Sequence, residues 1–177
     1  MFADLLTRYY TDYEPEETWV AECGGQVVGY LTGCQDTRRY WRSMTWGIIP
    51  AAVVKAVWRG TFFCLQTWWI LGAGLQTLLM GGFWEGVSLN DYPAHLHINI
   101  SRGFRGQELG RCLMEKFTED AKRRGLKGIH LVTRGDNLPA RRFFEKFGFR
   151  ELIRRPLFRL GPGDPQVQGS IIYGKKL

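Results

Sequence analysis

Arg105-Gly106-Gln107-Glu108-Leu109-Gly110 separates an apolar run, His95 to Ile100, from an amphipathic segment that begins at Glu108. The order reads as a strand, a glycine-bearing turn and a helix N-terminus. Such a junction binds anions, because first-turn N–H groups have no intrahelical partner and the aligned peptide dipoles add about half a positive charge there. A phosphate can be held at it with few side chains.

Downstream of the hexapeptide the pattern is regular. Glu108 to Arg124 is expected as a helix closed by Gly125, Ile129 to Thr133 as a strand, and Asn137 to Lys146 as a helix closed by Gly148. Asn137 suits an N-cap, with Pro139 tolerated in the first turn. Phe149 to Arg154 and Ser170 to Tyr173 read as strands on either side of a turn-forming Gly161-Pro162-Gly163-Asp164-Pro165.

Upstream, Phe2 to Tyr10 carries apolar residues at helical spacing, and Trp19 to Glu22, Gly24-Gly25 and Val27 to Thr32 read as a β-hairpin. Alternating strands and helices imply an α/β domain. Between Arg38 and Asn90 the texture changes to an aromatic segment with Trp41, Trp46, Trp58, Trp68, Trp69 and Trp84, and no charged residue occurs from Thr61 to Trp84. A membrane span needs about 20 mostly apolar residues. Gln66, Gln76, three threonines and four glycines interrupt this one. We therefore expect two inserted helices, Ile49 to Trp58 and Phe62 to Met80, buried against the domain or a second subunit. A basic amphipathic arm on a membrane surface is the less favoured reading, with Arg38, Arg39, Arg42, Lys55 and Arg59 ahead of the apolar part.

The chain has 177 residues, 45% apolar and 23% charged, which suits one globular domain over 1–177 with a helical insertion at 38–90. A formal charge of +7 implies an anionic partner, which a cofactor carrying several phosphates satisfies without nucleic acid. Cys23, Cys34, Cys64 and Cys112 are scattered and lack metal-site spacing, so neither zinc nor a disulfide framework is expected. Asp4 and Arg8 in the N-terminal helical pattern do not suit a secretory signal, and a cytoplasmic location is expected.

Arg105 to Gly110 resembles the Arg/Gln-x-x-Gly-x-Gly/Ala signature of the GCN5-related N-acetyltransferases (GNATs), with Glu108 where that family has glycine. Asn137-x-x-Ala140-x-x-Phe143-Phe144-x-x-x-Gly148-Phe149 resembles the family's second motif, with Phe144 where tyrosine is usual. The resemblance implies a mixed, mostly antiparallel sheet flanked by helices. It also implies acetyl-CoA as co-substrate, its pyrophosphate on the backbone of Arg105, Gly106, Gln107, Glu108, Leu109, Gly110 and Arg111. The pantetheine arm would follow the strand edge at Ile98 and Ile100, and Asn137, Ala140 and Phe144 would lie near the arm and sulfur. One of Arg111, Arg141 or Arg142 would meet the 3′-phosphate.

The implied reaction is direct attack of an amine on the thioester, with no metal. An alkyl ammonium with a pKa of about 10.4 must first lose a proton. His97 and His95 are the candidate bases, sharing a strand face with Asn99 and titrating near neutrality; Glu85 and Asp91 are carboxylate alternatives. With no hydroxyl at Phe144, Tyr173, Tyr92 or water would protonate the departing thiolate. Glu108 favours the helix dipole but repels a pyrophosphate, so Glu108→Gly should tighten acetyl-CoA binding. The expected function is acetyl transfer to an amine-bearing small molecule or peptide. The alternative is a non-catalytic acyl-CoA-binding or protein-interaction module. No nucleic-acid or membrane partner is expected, and the aromatic insertion is a candidate homodimer surface.

Overall fold

The computed structural model describes residues 7–60, 86–155 and 169–177. A π-helical turn at Tyr9–Tyr13 leads into strand β1 (Thr18–Cys23), which pairs antiparallel with β2 (Gln26–Cys34). Gly24 and Gly25 join them at φ of 59° and 77°, the left-handed pair that a tight hairpin needs and that side chains resist.

Helix α1 (Thr37–Ser43) follows, capped by the Asp36 carboxylate, which accepts from the N–H groups of Arg38 at 2.9 Å and Arg39 at 3.1 Å. A π-helical turn, Met44–Ile48, continues without a break into α2 (Ile49–Trp58). The sequence pattern located α2 but missed α1. The expected helix Phe62 to Met80, Glu85 and the Gly161 to Pro165 turn lie outside the described residues, as do the first residues of the expected Phe2 to Tyr10 helix.

The second half supplies β3 (Ala94–Ile100), α3 (Leu109–Arg123), β4 (Gly128–Arg134), α4 (Leu138–Lys146), β5 (Arg150–Arg155) and β6 (Ser170–Lys176). The strands form one sheet in the order β1-β2-β3-β4-β6-β5, antiparallel at every pairing except β3 with β4. That parallel pairing is confined to Ala94 with Ile129 and His95 with His130. Beyond His95 the two strands diverge.

Each sheet face has its own cover. On one, Leu31, Ala94, Leu96, Ile129, Leu131 and Ile171 pack against Leu113, Met114, Phe117 and Ala121 of α3 and Phe144 of α4. Gly33 makes this approach possible, since a Cβ there would clash with the edge of the Phe117 ring. On the other, Tyr9, Tyr10, Cys34, Met44 and Ile48 form a smaller core with Tyr40 and Trp41. Strand alternation explains the division: Cys34 and His95 are cross-strand partners facing this second core, whereas Gly33 and Leu96 face the first. Among the described residues no helix is long and apolar enough to cross a membrane.

Candidate active site

The loop after β3 is built backbone-first. Ser101 donates to the Val28 carbonyl at 2.9 Å, a single 3₁₀ turn spans Arg102–Phe104, and the Arg105 side chain donates from Nε to the Ile100 carbonyl at 3.0 Å. Gly106 then takes φ 83° with open space around its α-carbon. Gln107 and the exposed Glu108 complete the turn, and α3 begins at Leu109.

Glu108 is the N-cap of α3 and sits in the left-handed region, with φ 61° and ψ −5°. It is the one residue other than glycine with positive φ among the described residues. Its side chain makes no capping bond; the carboxylate lies 3.4 Å from the Arg111 guanidinium, which also reaches Glu115 at 2.8 Å. The sequence reading treated Glu108 only as a charge. The backbone gives a second reason why glycine suits this position.

Gly110 marks where the two motifs meet. A Cβ added there would lie 3.4 Å from Cζ of Phe143 and 3.7 Å from Cγ1 of Ile100, so the first turn of α3, the end of β3 and the flank of α4 converge. Asn137 caps α4 by accepting from the Ala140 N–H at 3.3 Å, three residues after β4 ends at Arg134. Phe144 is buried, its ring 6.2 Å from that of Tyr173 and 6.1 Å from that of Phe149. Ile98 and Ile100 are half-buried on the diverging part of β3. The end of β3, the first turn of α3 and the Phe143 flank of α4 thus come together at Gly110, and Glu108, Arg111 and Phe143 line a groove between the two helices.

The candidate proton-transfer residues fall into different settings. His97 is exposed on β3, two residues past the last pairing with β4, its ring 5.7 Å from that of Tyr10. His95 is buried with both nitrogens engaged, Nδ1 lying 2.7 Å from Thr37 Oγ1 and Nε2 lying 2.9 Å from the Tyr10 hydroxyl. Thr37 also lies 2.7 Å from the Pro93 carbonyl, which can only accept, so the threonine proton goes there. The hydroxyl oxygen must then accept from Nδ1–H, and Tyr10 must donate to Nε2. Burial first, then the neighbouring His130 and His97, holds the His95 pKa well below 6.5. It is a neutral imidazole clamped between two hydroxyls.

Tyr173 is fully buried, donating to Glu145 Oε1 at 2.6 Å and accepting from Arg141 Nε at 3.3 Å. Burial, then the bond to Glu145, raises its pKa above 10.0. Arg141 also donates to the Gly135 carbonyl at 3.2 Å, tying α4 to β6 and to the loop before it. Asp91 is exposed, and Tyr92 packs over Gly128 and Gly174 while its carbonyl contacts His130 Nδ1 at 2.9 Å. Sequence reasoning missed Tyr10, Thr37 and His130. Thr37 was findable, because Asp36-Thr37 is a helix-start signal; nothing in the sequence joins Tyr10 to a histidine 85 positions away. Among the described residues no group of His, Cys, Asp and Glu side chains could hold a metal ion.

Residues 81–149 match the model of the acetyltransferase (GNAT) family. The fold matches the crystal structure of SsHAT with a TM-score of 0.68 and 26% identity, over 99% of this chain and 79% of that one. It matches the ribosomal-protein-S18-alanine N-acetyltransferase from Escherichia coli with a TM-score of 0.53 and 16% identity, over 96% and 75%. A Bacillus anthracis protein solved in complex with acetyl coenzyme A matches at 0.56 and 17% identity, over 95% of this chain and 68% of its own.

Proposed function

We propose that the chain is a GNAT-superfamily acetyltransferase that transfers the acetyl group of acetyl-CoA to a primary amine by direct attack, a reading supported by the family match over residues 81–149 and by the likeness to SsHAT. The observation that carries the reading is the parting of β3 from β4 beside a backbone-built anion loop. A β3 edge without a ladder partner beyond His95 can bond an extended amide-bearing chain, and the N-terminus of α3 can take the diphosphate that follows it. Gly106 keeps the loop open to such a group. In this reading the half-buried Phe143, which approaches Gly110, would wall the far side, with Asn137 and Ala140 at the start of the same helix.

Among the candidate residues we assign the proton-accepting role to His97. It is exposed on the diverging part of β3, where an amine entering from the solvent side can reach it. His95 and Tyr173 take positioning roles. The Thr37–His95–Tyr10 chain fixes the Tyr10 ring beside His97, and the Glu145–Tyr173–Arg141 bonds hold α4 against the sheet. Amide groups of Ile98 to Ile100 on the cleft side would hold the thioester oxygen as charge develops on it. Water would protonate the thiolate, because Phe144 offers no proton and the Tyr173 hydroxyl is committed to Glu145.

Thiol release from acetyl-CoA, measured across a panel of amines and peptides, tests this. Turnover on at least one amine is expected. In that substrate's pH profile for kcat/KM, the acidic limb should disappear in His97→Asn, with kcat falling by about 10² or more. Tight acetyl-CoA binding with no turnover on any amine would instead support the non-catalytic module.

A further inference from the structure

We propose that the outer face of α2 docks on an anionic lipid bilayer, lying in the interfacial plane rather than crossing it. This departs from the sequence expectation of no membrane partner, and it does not depend on the acetyl-transfer reading.

A surface helix normally shows a polar face to water. α2 and the turn before it do the reverse. Trp46 is 84% and Trp58 91% exposed, and Ile49, Val53, Val54 and Val57 are exposed between them, while Ile48 and Ala52 face the protein. At 100° per residue, positions 49, 50, 53, 54, 57 and 58 of α2 fall on one side of the helix. That side has no polar residue. Such a surface is expected only where something apolar covers it.

The charge around it selects the occupant. From Thr37 to Gly60 the chain carries Arg38, Arg39, Arg42, Lys55 and Arg59 and no carboxylate. Lys55 and Arg59 border a shallow groove with Ala51, Val54 and Trp58, so two cations lie along the edge of the apolar stripe. A second copy laid face to face would bring these like charges together. An anionic headgroup layer accepts them while the stripe enters the acyl boundary, and exposed tryptophans favour that depth. A bilayer therefore meets both features with one surface.

The test is co-sedimentation of the full chain with 100 nm vesicles of phosphatidylcholine alone or with one quarter phosphatidylglycerol, at low and high salt. The wild type should partition to the mixed vesicles, more weakly to neutral ones, and lose binding as salt rises. Val54→Asp/Trp58→Asp changes only exposed positions and should weaken partitioning about tenfold or more with an unchanged melting curve. Lys55→Gln/Arg59→Gln should weaken binding to mixed vesicles and leave binding to neutral ones unaltered. Equal partitioning of wild type and the aspartate variant would overturn the proposal. So would no partitioning, or a dimer in sedimentation velocity that the aspartate pair dissolves in the absence of lipid binding, which would make a second copy the occupant.

Discussion

Replacing Glu108 with glycine should make the protein more stable. A residue with a Cβ held in the left-handed region costs about 1–2 kcal/mol, and Glu108 is so held at φ 61°. Glycine removes that strain but gives back about 0.5–1 kcal/mol by loosening the unfolded chain. The exposed contact with Arg111 contributes little in water. The net gain is about 0.5–1 kcal/mol, or roughly 1–4 °C in melting temperature for a chain of this size. Glu108→Gln is the control that separates strain from charge, since it keeps the Cβ and loses the carboxylate. A unit charge about 7 Å from an anion in water is worth roughly 0.6 kcal/mol. Both variants should therefore bind acetyl-CoA about two- to fivefold more tightly at low salt, with the difference shrinking as the Debye length shortens. Only the glycine variant should melt higher. Differential scanning calorimetry and isothermal titration at two salt concentrations read both effects. A glycine variant that melts at or below wild type, or a glutamine variant that gains as much, would refute the strain argument. Unchanged affinity in both would remove the charge argument.

Other outcomes follow from the buried groups. His95 is neutral in the fold with its pKa depressed, so below about pH 6.5 the unfolded chain binds a proton that the native one refuses. That term leaves stability untouched above pH 6.5 and erodes it on acidification by at most about 1.4 kcal/mol per pH unit. Glu17, whose buried carboxyl is pushed up, works in the opposite direction at lower pH, so the comparison is between wild type and His95→Gln denaturant curves from pH 7 to 5.5. Parallel curves would show that His95 is not the titrating group. Gly33→Ala should destabilise by about 1–3 kcal/mol by driving Phe117 from its seat, and Phe117→Leu in the same chain should recover part of that loss. If urea midpoints of the single variant match wild type, the packing account of Gly33 fails.

Local signals were legible wherever a residue type answers a backbone need. Gly24-Gly25 announced the hairpin, Asn137 the cap of α4, and apolar spacing the limits of α2, all of which the structure reproduces. The mostly antiparallel sheet and the strand edge at Ile98 and Ile100 came from the resemblance carried by the two motifs, since strand order has no periodicity of its own. Helix α1 was hidden because its seven residues are mainly basic and aromatic with no repeated apolar face. The two π-helical turns have no sequence signature that pattern reading uses. Glu108 misled for a physical reason: acid at a helix start is favourable by charge, and charge says nothing about φ. The setting of His95 was equally illegible, because Tyr10 and Thr37 reach it from distant elements and convert a titratable side chain into a structural one.

The two residue pairs that join β3 to β4 have a mechanical meaning. Among the described residues they are the strand pairing that joins a three-stranded half, β1-β2-β3, to another, β4-β6-β5, and the halves also share side-chain packing across Leu96, Leu131 and Phe117. A molecule that lines the open edge of β3 and rests on α3 acts as a stitch between the halves. The sheet is left unfinished in its own covalent chain, and occupancy of the gap is then also a state of the fold.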